Sequence, residues 1–168
     1  MRIAIVEDDK KDMEQLVDVI KAYAAGHEIS LELDTFASGE DFLRAFAPQK
    51  YKLIFFDNYI GSGLGIDLAR KARELDNDVE FVFVSMSMEF ALSGYEVRAL
   101  HYLIKPATFG EIEKIFERLW RNTSKPQESY VVGLMIFTSL RLSSTLFLDN
   151  SGFASMASTE RSRLNWFA

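Results

Sequence analysis

Five short strand-like segments punctuate the first 125 residues, and each is followed by a stretch with helical spacing. Ile3–Val6 is a continuous apolar run, which suits a strand covered on both faces. Ser30–Phe36, Leu53–Phe56, Phe81–Val84 and Leu100–Ile104 follow. Between the first two, Lys10 to Ala24 places Met13, Leu16, Val17, Ile20 and Ala24 on one helical stripe, and Gly26 ends it. Ser38 is placed to N-cap a helix that runs to about Ala47 and stops before Pro48. Gly65, Leu68, Ala69, Ala72 and Leu75 form a third stripe. Met88–Val97 reads as a weakly patterned helix. Phe109–Arg121 carries Ile112, Ile115, Phe116, Leu119 and Trp120 on one face, read as core packing. This alternation predicts an α/β fold: (βα)5, an open, doubly wound parallel sheet covered on both sides. In such sheets the site lies beyond the carboxyl ends of the strands, so chemistry is sought just after each strand.

Glu7-Asp8-Asp9 follows the first strand, Asp57 the third, Ser85 the fourth and Lys105-Pro106 the fifth. Each has an ordinary structural reading. Acidic residues cap helix starts, Asp and Ser terminate many strands, and Tyr102 could be a plain core aromatic. Together they suggest more. Carboxylates held close repel one another unless a hard cation lies among them, and Mg2+ favours such oxygen ligands together with phosphate oxygens. A hydroxyl and an ammonium opposite would hold the remaining oxygens of a phosphoryl group, with Asp57 as its nucleophile. Other site chemistries are poorly supplied. With no Cys in the chain, disulfides, thiolate catalysis and Cys-based metal sites are excluded. With only His27 and His101, both read as surface residues without a role, a multi-His zinc site is not expected.

The constellation resembles the receiver domain of two-component response regulators, over residues 1–121. The resemblance implies a flavodoxin-like fold with strand order 2-1-3-4-5. It makes Asp57 the phosphoacceptor, with Mg2+ held by Asp8, Asp57 and the Tyr59 backbone carbonyl, and by Glu7 mainly through water. Ser85 and Lys105 would bind the phosphoryl oxygens. Tyr102 would be an aromatic switch that turns inward when Ser85 is drawn to the phosphoryl group, and Pro106 a cis-proline. The phosphodonor would be a histidine kinase, and the protein a signalling switch that phosphorylates and dephosphorylates only its own Asp57. The readout the resemblance implies is homodimerisation through helix 4, strand 5 and helix 5. Two departures stand out. Gly61 occupies a position where the family usually has Pro, which suggests a more flexible loop, and Asn58 replaces an apolar residue beside the acceptor.

The run from Phe90 to Pro106 is similar to regulators of the LytTR (AlgR/AgrA-like) class, in which a linker leads to an all-β DNA-binding domain of about a hundred residues. Here Asn122 to Gln127 marks a boundary, giving a receiver at 1–121, a linker at 122–129 and a β-rich output-like segment at 130–168. About forty residues are too few to complete such a domain, which puts DNA binding by this chain in doubt. Charge agrees: the net of −6 lies wholly in residues 1–125, because three Arg balance three acidic residues in 126–168. The short apolar stretch at the N-terminus does not read as a signal peptide, and no apolar run approaches the ~20 residues of a membrane span, so a cytoplasmic protein is expected.

Other functions fit less well. A haloacid-dehalogenase-like phosphohydrolase needs a second Asp two residues after its nucleophile, where Tyr59 stands. An FMN binder needs a small-residue phosphate cradle after strand 1, where Glu7-Asp8-Asp9 would repel phosphate. The remaining alternative is a pseudo-receiver, an interaction module that works without phosphorylation.

Overall fold

The computed structural model describes residues 1–87 and 91–123. Five parallel strands form its sheet: β1 (Arg2–Val6), β2 (Glu32–Phe36), β3 (Leu53–Phe56), β6 (Glu80–Ser85) and β7 (His101–Ile104). Their order is β2-β1-β3-β6-β7, which is 2-1-3-4-5 when these five are counted alone. The two intervening strands, β4 (Tyr59–Ile60) and β5 (Gly63–Leu64), form a separate antiparallel hairpin beside the site. The helices are α1 (Lys10–Gly26), α2 (Gly39–Ala45), α3 (Gly65–Leu75), α4 (Ser93–Glu96) and α5 (Phe109–Thr123).

Strand side chains alternate between faces, and the sequence supplies apolar residues for both. Ile3, Ile5, Leu53, Phe55, Val82, Val84 and Leu103 meet Leu16, Ile20 and Tyr23 of α1 and Ile112, Ile115, Phe116 and Leu119 of α5. On the other face Ala4, Val6, Ile54, Phe56, Phe81 and Phe83 meet Phe42 of α2, Ile66, Ala69 and Ala72 of α3, and Val97. Phe56 is the hub of that face. Its ring lies 5.3 Å from Phe42, 5.7 Å from Phe81 and 5.9 Å from Phe83.

Local signals place the ends. Ser38 Oγ accepts the Asp41 N–H at 3.1 Å, the N-cap bond expected of it. Asp9 caps α1 by accepting from Lys11 N at 2.8 Å and Asp12 N at 3.0 Å. Several expectations need correction. Of the helix expected over Met88–Val97, residues 88–90 lie outside the described residues and the remainder is helical only over Ser93–Glu96, where Leu92 and Tyr95 bury no apolar face. Leu75 and Trp120 are exposed, because each stands at the solvent margin of its stripe. His27 is not idle: it forms the α1 C-cap, stacks on Tyr23 at 4.1 Å and bonds the Tyr23 carbonyl through Nδ1 at 2.9 Å. The loop around Gly61 is a hydrogen-bonded hairpin, and Gly61 has a left-handed φ of 61° that Pro cannot adopt. The linker beyond Thr123 and the segment 130–168 lie outside the described residues.

Candidate functional site

Parallel pairing carries the strand-end residues to one edge of the sheet. Asp57 N–H donates to the Val6 carbonyl at 3.0 Å, and Lys105 N–H donates to the Ser85 carbonyl at 2.8 Å. Glu7 and Asp57 therefore leave neighbouring strands side by side, as do Ser85 and Lys105. Carboxylate oxygens of Glu7, Asp8 and Asp57 lie within 4.8 Å of one another. Glu7 is buried, Asp57 half-buried and Asp8 exposed. Gly61 N–H reaches across from the β4–β5 hairpin and holds Asp8 Oδ2 at 2.8 Å.

Lys105 closes the group. Its Nζ lies 2.6 Å from Glu7 Oε2, 2.8 Å from Asp57 Oδ2 and 2.9 Å from Asp12 Oδ2. Burial opposes the charge on Lys105, but its bonds to Asp57, Glu7 and Asp12 outweigh that and hold its proton more tightly than usual. Burial pushes the Glu7 carboxyl up to about 7; the Lys105 bond pulls against this and the neighbouring Asp57 charge adds to it. Three carboxylates contact the one ammonium and a fourth, Asp8, joins two of them, and this excess of negative charge in a tight oxygen cluster fits a hard divalent cation.

The Lys105–Pro106 peptide bond is cis. Ser85 is buried at the end of β6. Tyr59 opens the β4 strand with its ring half exposed, directly after the Asp57-Asn58 pair. Tyr102 stacks on Phe83 at 6.2 Å, and its hydroxyl donates to the Ser87 carbonyl at 2.7 Å. Of the residues singled out in the sequence, Glu7, Asp8, Asp57 and Lys105 are thus drawn into one cluster, with Ser85 and Tyr102 on the adjoining strands.

Two participants escaped the sequence reading. Asp12 stands one helical turn beyond Asp8, and that i, i+4 spacing is the signal that could have found it. Asn58 is buried, and its amide Nδ2 donates to the Tyr102 hydroxyl. Its only signal was a polar side chain in an apolar position. Gly65 matters for a different reason: a Cβ there would stand 1.9 Å from the Asp57 carbonyl oxygen, so α3 can begin against the acceptor only with glycine at this position.

The family model for the response regulator receiver domain matches residues 3–117. This chain belongs to the response regulator receiver family. Among curated relatives of this receiver, the transcriptional regulatory protein RprY of Bacteroides fragilis is 29% identical over 82% of the chain and 58% of its own length. The transcriptional regulatory protein CitB of Klebsiella pneumoniae is 32% identical over 74% of the chain and 53% of its own. The sensory transduction protein LytR of Staphylococcus haemolyticus is 24% identical over 76% of the chain and 48% of its own. LytR, with the protein named LytT from Bacillus subtilis, bears out the narrower resemblance to LytTR regulators. The chain spans about half the length of the curated relatives it matches. Among solved structures, the response regulatory domain of mrkE from Klebsiella pneumoniae has a TM-score of 0.60 at 25% identity, covering 72% of this chain and 99% of that one. The CheY-like receiver from Methylobacillus flagellatus shares the fold, with a TM-score of 0.61 at 23% identity over 71% of this chain and 98% of that one. The chain is the receiver of a two-component response regulator. No helix of the described residues is long and apolar enough to cross a membrane.

Proposed function

We propose that Asp57 accepts a phosphoryl group from the phosphohistidine of a histidine kinase, or from a small donor such as acetyl phosphate. An Asp57 carboxylate oxygen attacks phosphorus; the new O–P bond forms as the N–P bond to the donor imidazole, or the O–P bond of acetyl phosphate, breaks, and imidazole or acetate leaves with the electron pair. Mg2+ held by Glu7, Asp8, Asp57 and the Tyr59 carbonyl would neutralise charge on the transferring oxygens. Lys105 moves from carboxylate to phosphoryl oxygen, and the Ser85 hydroxyl donates to another. These new charge-assisted bonds bias the loop after β6 and the Tyr102 side chain, and through them the face formed by α4, β7 and α5. Leu92 at the α4 N-cap, Tyr95 and Ile104 are exposed apolar groups on that face, which supports an output through homodimerisation there. A role in transcription follows the names of RprY and CitB.

The observation that carries this reading is the contact of Lys105 Nζ with both Asp57 and Glu7 at the carboxyl ends of three parallel strands. The test is native mass spectrometry with acetyl phosphate and Mg2+. One phosphoryl group should add to the chain and none to Asp57→Asn. Folded protein that takes up no phosphoryl group would instead indicate the phosphorylation-independent interaction module.

A further inference from the structure

Asn58 is the one buried polar side chain of the site edge that the proposed phosphoryl chemistry does not use. Its surroundings define what it does. Its backbone N–H donates to Asp57 Oδ1 at 2.6 Å, and its carbonyl accepts from Gly65 N at 2.8 Å. The main chain of residue 58 is therefore fixed on both sides. Its side chain then spans from β3 to β7, where Nδ2 donates to the Tyr102 hydroxyl. That hydroxyl has a single hydrogen, which goes to the Ser87 carbonyl. It can only accept from residue 58, so the side chain there must present an N–H. Asn does this; an isosteric Leu or Asp does not.

The result is a continuous path from the Asp57 carboxylate through the Asn58 N–H, the Asn58 amide and the Tyr102 hydroxyl to the loop two residues past Ser85. The Tyr102 ring rests on Phe83, at the end of the aromatic chain that starts at Phe42. Every link is made by protein atoms alone, so none needs a phosphoryl group to form. A buried amide left without a partner is costly, which favours the Tyr102 rotamer that satisfies it.

We propose that Asn58 is a positioning residue for the aromatic switch: its amide holds the Tyr102 hydroxyl against the loop after β6 before Asp57 is phosphorylated, so that this receiver is already biased toward its inward Tyr102 arrangement. The link to phosphorylation rests on the reading of Asp57 as phosphoacceptor; the tether itself does not. Because coupling is reciprocal, a residue that favours the inward arrangement also favours phosphoryl binding.

The test follows the Tyr102 ring by NMR with 13C-labelled tyrosine, assigned through Tyr102→Phe, in the intact chain and in Asn58→Leu. Mg2+ with beryllofluoride serves as the phosphoryl probe. In the unmodified chain the free-protein ring signal should lie close to its beryllofluoride position. In Asn58→Leu it should move away in the free protein and return with the probe, with beryllofluoride affinity about fivefold weaker and affinity for Mg2+ alone unchanged. A free-protein ring signal that is the same in both chains overturns the proposal, as does an equally large probe-induced shift in both. Should Asn58→Leu fail to fold, the Asn58 side-chain amide is read in Tyr102→Phe: a moved signal supports the tether, and an unmoved one overturns it. If beryllofluoride does not bind the unmodified chain, the phosphoacceptor reading fails, while the free-protein comparison still decides the role of Asn58.

Discussion

Lys105 Nζ lies 2.9 Å from Asp12 Oδ2, a carboxylate on the first turn of α1 that is neither a strand-end residue nor one of the three clustered oxygens. Lys105 has to exchange carboxylates for phosphoryl oxygen, and Asp12 competes for it while adding negative charge near an anionic donor. Asp12→Asn removes both effects. Partly exposed ion pairs are worth about 0.5–1 kcal/mol, so phosphoryl uptake from acetyl phosphate should rise about two- to fivefold. A time course of intact mass at fixed Mg2+ measures this, and slower uptake in the variant would count against the competition.

Gly65→Ala tests the closeness of α3 to the acceptor. The new Cβ would meet the Asp57 carbonyl oxygen at 1.9 Å, a backbone atom that cannot rotate away. The start of α3 must shift, with a loss of about 2–4 kcal/mol in stability, and Asp57 moves with it. Urea unfolding read with a Mg2+ titration should show both losses together. Full stability with Mg2+ binding intact would contradict the packing described above.

Gly61→Pro removes the N–H that holds Asp8 Oδ2 and forces the backbone out of its left-handed conformation. Mg2+ affinity measured by calorimetry should fall by about tenfold, the effect of losing roughly 1.4 kcal/mol of restraint. Gly61→Ala keeps the N–H and should lose less. Equal losses in the two variants would mean that backbone strain alone is responsible.

Asp76 gives a pH dependence away from the site. It is buried, and its carboxylate accepts from Gln49 N at 2.7 Å, Asp78 N at 2.9 Å and Val79 N at 3.2 Å. Burial raises its pKa, but these three donors together outweigh it and leave the carboxyl below its ordinary range. A depressed carboxyl stabilises the fold above its unfolded pKa and loses that contribution as pH falls through the folded value. Asp76→Ala should therefore cost about 2–3 kcal/mol at neutral pH, with the difference from the unmodified chain shrinking below about pH 4. Urea melts at neutral and acidic pH measure the difference; a gap that stays constant with pH would show that the charge has no part in it.

The strands were legible because Ile3–Val6, Leu53–Phe56 and Phe81–Val84 are short apolar runs without alternation, set between longer amphipathic stretches, a pattern that suits a doubly covered sheet. The resemblance to receiver domains implied the strand order, which made the residues after each strand neighbours, so Glu7, Asp57 and Lys105 could be placed together. What stayed hidden depends on side chains that cross between elements. Asp12 was not singled out, since its partner Lys105 lies far along the chain. Asn58 looked like a departure from pattern, because its reason is a hydroxyl on β7. The β4–β5 hairpin has only two residues per strand, too few for a period to show. Of the helix expected over Met88–Val97, residues 88–90 lie outside the described residues and the weak pattern left its start unfixed, so α4 is described only over Ser93–Glu96.

The interior position of β1, between β2 and β3, also shapes how the chain is made. Its register partners are Glu32–Phe36 on one side and Leu53–Phe56 on the other, and β3 in turn needs residues 80–83. During synthesis Ile3–Val6 emerges first but keeps an unpaired flank until residue 56 has left the ribosome, and the sheet is not closed until β7 arrives at His101–Ile104. Such nonlocal pairing folds more slowly than local contacts and leaves apolar edges open in the interval. In a nascent receiver of this kind the first strand thus waits with an apolar edge open, although Ile3–Val6 are fully buried once the domain is complete.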